Sequence, residues 1–140
     1  VRASGLPAHL VDTPYDAMNV ATVLVAAAGT ATLEAAVLGV PMVAVYRLPW
    51  PGMAIARRLV AVRHAALPNI LAGREIVPEF LQERMTPQGV AQEVLSLLRS
   101  PERREAMRGA LRDVTATLGP PGALDRAAGE VIRMLGGGVA

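Results

Sequence analysis

The sequence has no cysteine and no lysine, and its aromatic side chains are limited to Tyr15, Tyr46, Trp50 and Phe80. Without cysteine there is no disulfide framework, no thiolate zinc site and no cysteine nucleophile. The two histidines, His9 and His64, stand far apart and show no metal-ligand spacing, so no metal site is expected. With so few aromatics the core must come from Ala, Val and Leu. That composition suits helices packed closely on a sheet and argues against an aromatic-rich β-sandwich. A long apolar run is missing too. The longest uncharged stretch, residues 17–33, holds Asn19, Thr22, Gly29, Thr30 and Thr32. It falls short of the roughly 20 apolar residues that a membrane-spanning helix requires. The opening VRASGLPAHLVD lacks the apolar segment of a signal peptide. A soluble or peripheral protein is expected.

All 14 basic residues are arginine, set against 12 acidic ones for a net charge of +2. With alanine abundant, this reads as GC-rich codon usage as much as a nucleic-acid footprint. In the C-terminal third the arginines alternate with Glu and Asp, as on a solvated helix face. A nucleic-acid binder concentrates basic charge on one element, so no nucleic-acid partner is expected. The chain has 140 residues, 52% of them hydrophobic, with mean hydropathy +0.36. That is one domain rather than two, and not a disordered tail.

The hydrophobic pattern predicts an α/β chain. Residues 8–11 (AHLV) read as a short strand, and PYDAMNVA as a helix with Thr13 as its N-cap and Pro14 in its first turn. Thr22–Ala26 is a β-branched, fully apolar run, as in a buried parallel strand. After an AAGT turn, Thr30–Leu38 reads as a helix closed by Gly39, and Met42–Tyr46 as a second buried strand. Together they make one strand–helix–strand unit of a parallel sheet. RLPWPG is a loop and Met53–Val62 a helix. Residues 64–75 are mixed, with a Pro-Asn turn and a glycine, and residues 76–85 are interrupted by Pro78. Helices start at Thr86-Pro87 and at Ser100-Pro101. Gly119–Gly122 breaks the chain before a last helix, ALDRAAGEVIRML, and a glycine-rich end. Residues 1–118 therefore read as one domain, and residues 119–140 as a final helix and flexible tail.

Four stretches carry candidate chemistry. In VLVAAAGTATLEAAVLGVP a strand enters a small-residue turn and then a helix. Helix N–H groups, with the Thr30 and Thr32 hydroxyls, would form a phosphate cradle there. Glu34 would accept hydrogen bonds from a ribose. Ordinary helix capping explains the same residues, and the stretch is not a Walker loop because it has no G-K-[ST]. In LPNILAGREIVPEFLQE the polar residues Asn69, Arg74, Glu75 and Gln82 sit among apolar ones. Arg74 either pairs a phosphate or forms a surface pair with Glu75 or Glu79. Arg47 ends the second strand, where parallel sheets face their ligands, or else lies in solvent. WPGMAIARRLVAVRH is either a basic amphipathic helix for an anionic membrane or a helix packed on the sheet.

Taken in order, GTATLEAAVLGVPMVAVYR, ARRLV and LPNILAGREIVPEFLQE resemble the C-terminal part of the lipid-A-disaccharide synthases, glycosyltransferases of GT-B architecture. The match runs from about Ala26 through Gln82 and more loosely to about Leu135. The resemblance implies a partial Rossmann-like parallel sheet of a GT-B C-terminal domain, followed by a helical tail. It implies transfer of diacylglucosamine from UDP-2,3-diacylglucosamine to 2,3-diacylglucosamine 1-phosphate. The products are lipid A disaccharide 1-phosphate, joined β(1→6) with inversion, and UDP. No metal or other cofactor is implied, the UDP-sugar being a substrate. Gly29, Thr30 and Thr32 fall on the diphosphate turn and Glu34 at the ribose. Arg47, Asn69, Arg74 and Glu75 fall on motif positions lining the interdomain cleft.

Two positions depart from the family pattern. Ala28 stands where the family usually has Ser, and Val20-Ala21-Thr22 where it usually has Ala-Ala-Asp. Family members also carry an N-terminal Rossmann-like half that binds acceptor and supplies the acid/base carboxylates. This chain is therefore expected to be a UDP-binding half that needs that partner in cis or in trans. It would sit in the cytoplasm, with peripheral contact at the inner face of the inner membrane. The alternatives are a nucleotide-binding remnant without activity, and a membrane-surface or partner-binding module built on residues 50–64.

Overall fold

A computed structural model describes residues 5, 7–47 and 64–136. The expected helix at Met53–Val62 and its amphipathic reading lie outside these residues. Among the described residues the order is α1 (Pro14–Val20), β1 (Leu24–Ala27), α2 (Thr30–Val37), β2 (Met42–Tyr46), α3 (Leu67–Ala72) and β3 (Glu79–Leu81). A 3-10 turn (Gln82–Arg84), α4 (Pro87–Arg99), α5 (Pro101–Ala116) and α6 (Ala123–Gly136) follow. No helix among them is long and apolar enough to cross a membrane.

The three strands form one parallel sheet in the order β1-β2-β3. Leu24 pairs with Met42 and Ala27 with Val45; Ala44 pairs with Glu79 and Tyr46 with Leu81. This is the expected α/β architecture, a partial Rossmann-like sheet followed by helices. The central strand is buried deepest, with Met42, Val43 and Ala44 at 0% exposure. Helix α2 packs on β1, α3 and α5, while α4 packs on β2 and α5. Alanine lets these helices come close: Ala35, Ala36 and Ala66 are buried in the same cluster as Val77, Leu97 and Leu111. Methionine contributes beyond the expected Ala, Val and Leu. Met18, Met42 and Met107 join the core, and the Met42 N–H donates to the Met107 Sδ at 3.3 Å.

Several expectations need correcting. Residues 8–11 form no strand; Leu10 is fully exposed, and nothing pairs with the segment among the described residues. The first strand begins at Leu24, where the N–H reaches Pro41 O at 2.9 Å and the ladder starts. The segment LPNILA is a helix, not a Pro-Asn turn. Pro68 sits in its first turn, where a missing N–H costs nothing, and Gly73 closes it at φ +64°. Residues 79–81 form the third strand, which tertiary pairing with β2 creates from a segment with little β propensity of its own.

The two long helices meet at a tight corner. Ser100 caps α5 by accepting from Arg103 N at 3.2 Å. Arg104 donates to the carbonyls of Leu97 and Leu98 at 2.7 and 2.6 Å, satisfying acceptors that the end of α4 leaves without helical partners. The expected charge alternation is realised as surface pairs, Arg103 with Glu93 at 2.6 Å and Arg112 with Glu105 at 3.2 Å.

Candidate functional site

In a parallel sheet every strand ends at the same edge, and ligands bind outside those carboxyl ends. Gly29 follows β1 there and is the N-cap of the eight-residue α2. Its φ of +148° with ψ −156° lies in a region essentially reserved for glycine. Just before it, Ala28 N reaches Val45 O at 2.9 Å, so the turn leaves the sheet from a fixed point. Thr30 is exposed in the first turn of α2, and Glu34, one turn on, is half-buried. Arg47 lies exposed beyond the end of β2 and reaches Met85 O at 3.5 Å, beside the segment that follows β3. Gln82, the first residue beyond β3, has φ +53° without being a glycine. Left-handed non-glycine residues are uncommon and cluster at functional sites.

Thr32 and Asn69 stand behind this edge rather than on it. Both are at 0% exposure. The Thr32 hydroxyl donates to Gly29 O at 2.6 Å and accepts from Leu67 N at 3.3 Å. Its bonding therefore ties the glycine turn to the start of α3. The Asn69 amide is fully used. Its nitrogen donates to Val77 O and to Glu79 Oε1, each at 2.7 Å. Its oxygen accepts from Ile76 N at 2.8 Å and Val77 N at 2.9 Å. An amide has two donors and two principal acceptor sites, so little of Asn69 remains for a ligand.

Glu79 is the group that motif reasoning missed. The sequence offers it only as a surface partner for Arg74, yet it is 4% exposed and bonded elsewhere. Its carboxylate accepts from Ala65 N at 3.1 and 3.2 Å, from Ala66 N at 2.9 Å and from Asn69. His64 Nδ1 lies 3.9 Å away. The available signal was the position of an acid between the apolar pairs Ile76-Val77 and Phe80-Leu81. A carboxylate placed inside must find donors.

Arg74 and Glu75 are not brought to the carboxyl edge. They precede β3 and so lie toward the opposite, amino end of the sheet. There they line a cleft of about 350 Å³ with Ile76, Leu97, Arg103 and Met107. The site residues expected together thus divide into Gly29, Thr30 and Arg47 at one edge, Thr32 and Asn69 behind it, Glu34 on α2, and Arg74 with Glu75 at the far end.

Comparison with known proteins identifies the family of the chain. The family described as lipid-A-disaccharide synthetase matches residues 4–123. The chain belongs to the lipid-A-disaccharide synthase family. It is 52% identical over 107 residues to the lipid-A-disaccharide synthase of Anaeromyxobacter dehalogenans (strain 2CP-C), covering 76% of this chain and 28% of that protein. It is 41% identical over 114 residues to that of Syntrophus aciditrophicus (strain SB), covering 81% of this chain and 30% of the relative. With the Geobacter metallireducens protein the identity is 38% over 135 residues, 96% of this chain and 35% of the relative. The chain thus spans about a third of the length of these synthases. The match contains the whole described sheet, from β1 to β3, and both of its ends.

Proposed function

We propose that this chain is the nucleotide-sugar-binding part of a lipid-A-disaccharide synthase, with the diphosphate of UDP seated on the Gly29 turn. The observation that supports this most is the glycine-only backbone of Gly29, held at the carboxyl edge of the sheet at the start of α2. Helix N–H groups and the positive helix end favour an anion there. Thr30 adds a hydroxyl, Arg47 adds a cation from the neighbouring strand end, and Glu34 meets the ribose. Thr32 and Asn69 position this edge from behind.

In the reaction proposed, the 6-hydroxyl of 2,3-diacylglucosamine 1-phosphate attacks the anomeric carbon of UDP-2,3-diacylglucosamine. The bond from that carbon to the diphosphate oxygen breaks, and UDP leaves. The hydroxyl proton passes to a base on the N-terminal half of the synthase, joined in cis or in trans. This chain stabilises the charge that grows on the departing diphosphate, with donors already in place. No metal or other cofactor enters the reading. Lipid-bearing substrates place the enzyme at the cytoplasmic inner face of the inner membrane, in peripheral contact.

Calorimetric titration of the chain with UDP tests the proposal. Saturable binding is expected, weakened at least tenfold in Glu34→Ala. A chain that binds no UDP at millimolar concentration defeats it. Ala28, where the family usually has Ser, favours a second reading, a nucleotide-binding remnant. Addition of the N-terminal half separates the two: disaccharide formation supports the synthase, and UDP binding without transfer supports the remnant.

A further inference from the structure

We propose that Glu79 is a positioning residue for the Gly29 turn, acting through the entry of α3 and the Thr32 hydroxyl. Its ligand consequence rests on the reading of that turn as the diphosphate site; the structural coupling does not. A carboxylate this deeply buried persists only where donors replace its water. Here the donors are the Ala65 and Ala66 N–H groups and the Asn69 amide, all on the segment that starts α3. With six residues, α3 is too short to hold its first turn unaided. Glu79 and Asn69 hold it instead, from β3 and from within the helix.

The next N–H along the chain, Leu67 N, leaves this knot and donates to Thr32 Oγ1 at 3.3 Å. Thr32 in turn donates to Gly29 O at 2.6 Å. Two sets of hydrogen bonds, joined by the Ala66–Leu67 peptide, therefore link a buried carboxylate on β3 to the carbonyl of Gly29. An apolar residue would fill the space of Glu79, but it would not fix the direction of the N–H groups at the start of α3.

Amide hydrogen exchange on the 140-residue chain tests the coupling directly. Glu79→Gln keeps the volume and one acceptor, and sets an NH2 group against the Ala65 N–H. It is expected to speed exchange at Ala66, Leu67 and Thr32 by on the order of tenfold, while Leu111 in α5 keeps its wild-type rate. Glu79→Asp, which keeps the carboxylate, should recover part of the protection. Uniform acceleration that includes Leu111 means Glu79 supports stability alone and overturns the proposal. So does acceleration at Ala66 and Leu67 with Thr32 unchanged. If Glu79→Gln does not fold, Thr32→Val reads the same path in reverse. Faster exchange at Ala66 and Leu67 supports the coupling, and unchanged rates refute it.

UDP titration supplies the ligand arm. A weakening of about tenfold in Glu79→Gln is expected where the parent chain binds UDP. If the parent binds none, the functional reading falls, and the exchange pattern still decides the coupling.

Discussion

Gly29 and Gly89 show two different reasons for the same residue. At Gly29 a Cβ would meet no atom within 4 Å, so only the backbone, at φ +148°, demands glycine. At Gly89, in the first turn of α4, the backbone is ordinary helix. There a Cβ would fall 2.9 Å from Thr86 Oγ1 and 3.1 Å from Phe80 Cε1. Gly29→Ala is therefore expected to cost about 1–3 kcal/mol of backbone strain without disturbing the core. Urea unfolding followed by circular dichroism measures it. A neutral Gly29→Ala would mean that the turn relaxes freely, which is incompatible with a preformed anion seat. The Gly-Thr turn was legible from sequence because glycine announces a special backbone. The left-handed Gln82 was not, since glutamine carries no such signal and tertiary context imposes its φ of +53°.

Whole elements were readable where local chemistry and tertiary structure agreed. The N-caps Thr86 and Ser100, each followed by proline, mark the starts of α4 and α5. Strand β2 has the expected limits because Met42–Tyr46 is apolar throughout. Helix α3 and strand β3 were not readable, because both are defined by long-range partners: the Asn69–Glu79 knot in one case and the edge of β2 in the other. For the same reason Arg74 and Glu75, adjacent in sequence to the Asn69 motif, end up at the opposite end of the sheet.

The Ser100 corner gives a pH-resolved prediction. The Glu102 carboxyl is held below its ordinary value, first by a backbone hydrogen bond and then by the Ser100 hydroxyl, which donates at 3.0 Å. A depressed folded-state value means the contribution is present above the ordinary carboxylate range and is lost as pH falls through the lowered value. Ser100→Ala removes the hydroxyl that both caps α5 and holds Glu102. A loss of about 1 kcal/mol at neutral pH is expected from the cap. The NMR titration midpoint of Glu102 should rise part of the way back, since the backbone bond remains. An unmoved midpoint would show that the hydroxyl does not act on the carboxylate.

At the scale of the whole molecule, the described residues carry apolar surface in excess of what the described helices cover. Parallel sheets are normally buried on both faces, yet Val25 on β1 is 47% exposed. Helix α6 has no buried residue, and Leu124, Ile132 and Leu135 lie 87%, 69% and 75% exposed. A contiguous apolar stripe of this kind belongs in an interface or associates on its own. The synthases that match this chain are about three times its length, and they have the additional chain with which to cover such surface. Two expectations follow for the isolated 140 residues. First, they should self-associate, with sedimentation dominated by species above the monomer. Second, the double variant Ile132→Lys/Leu135→Lys should shift that distribution toward monomer while leaving the unfolding midpoint of the core where it was, because nothing buried is touched. A fall in the midpoint alongside the shift would mean that α6 supports the core after all. Unchanged association would move the sticky surface to the β1 edge, where Val25→Lys then becomes the variant that disperses the chain.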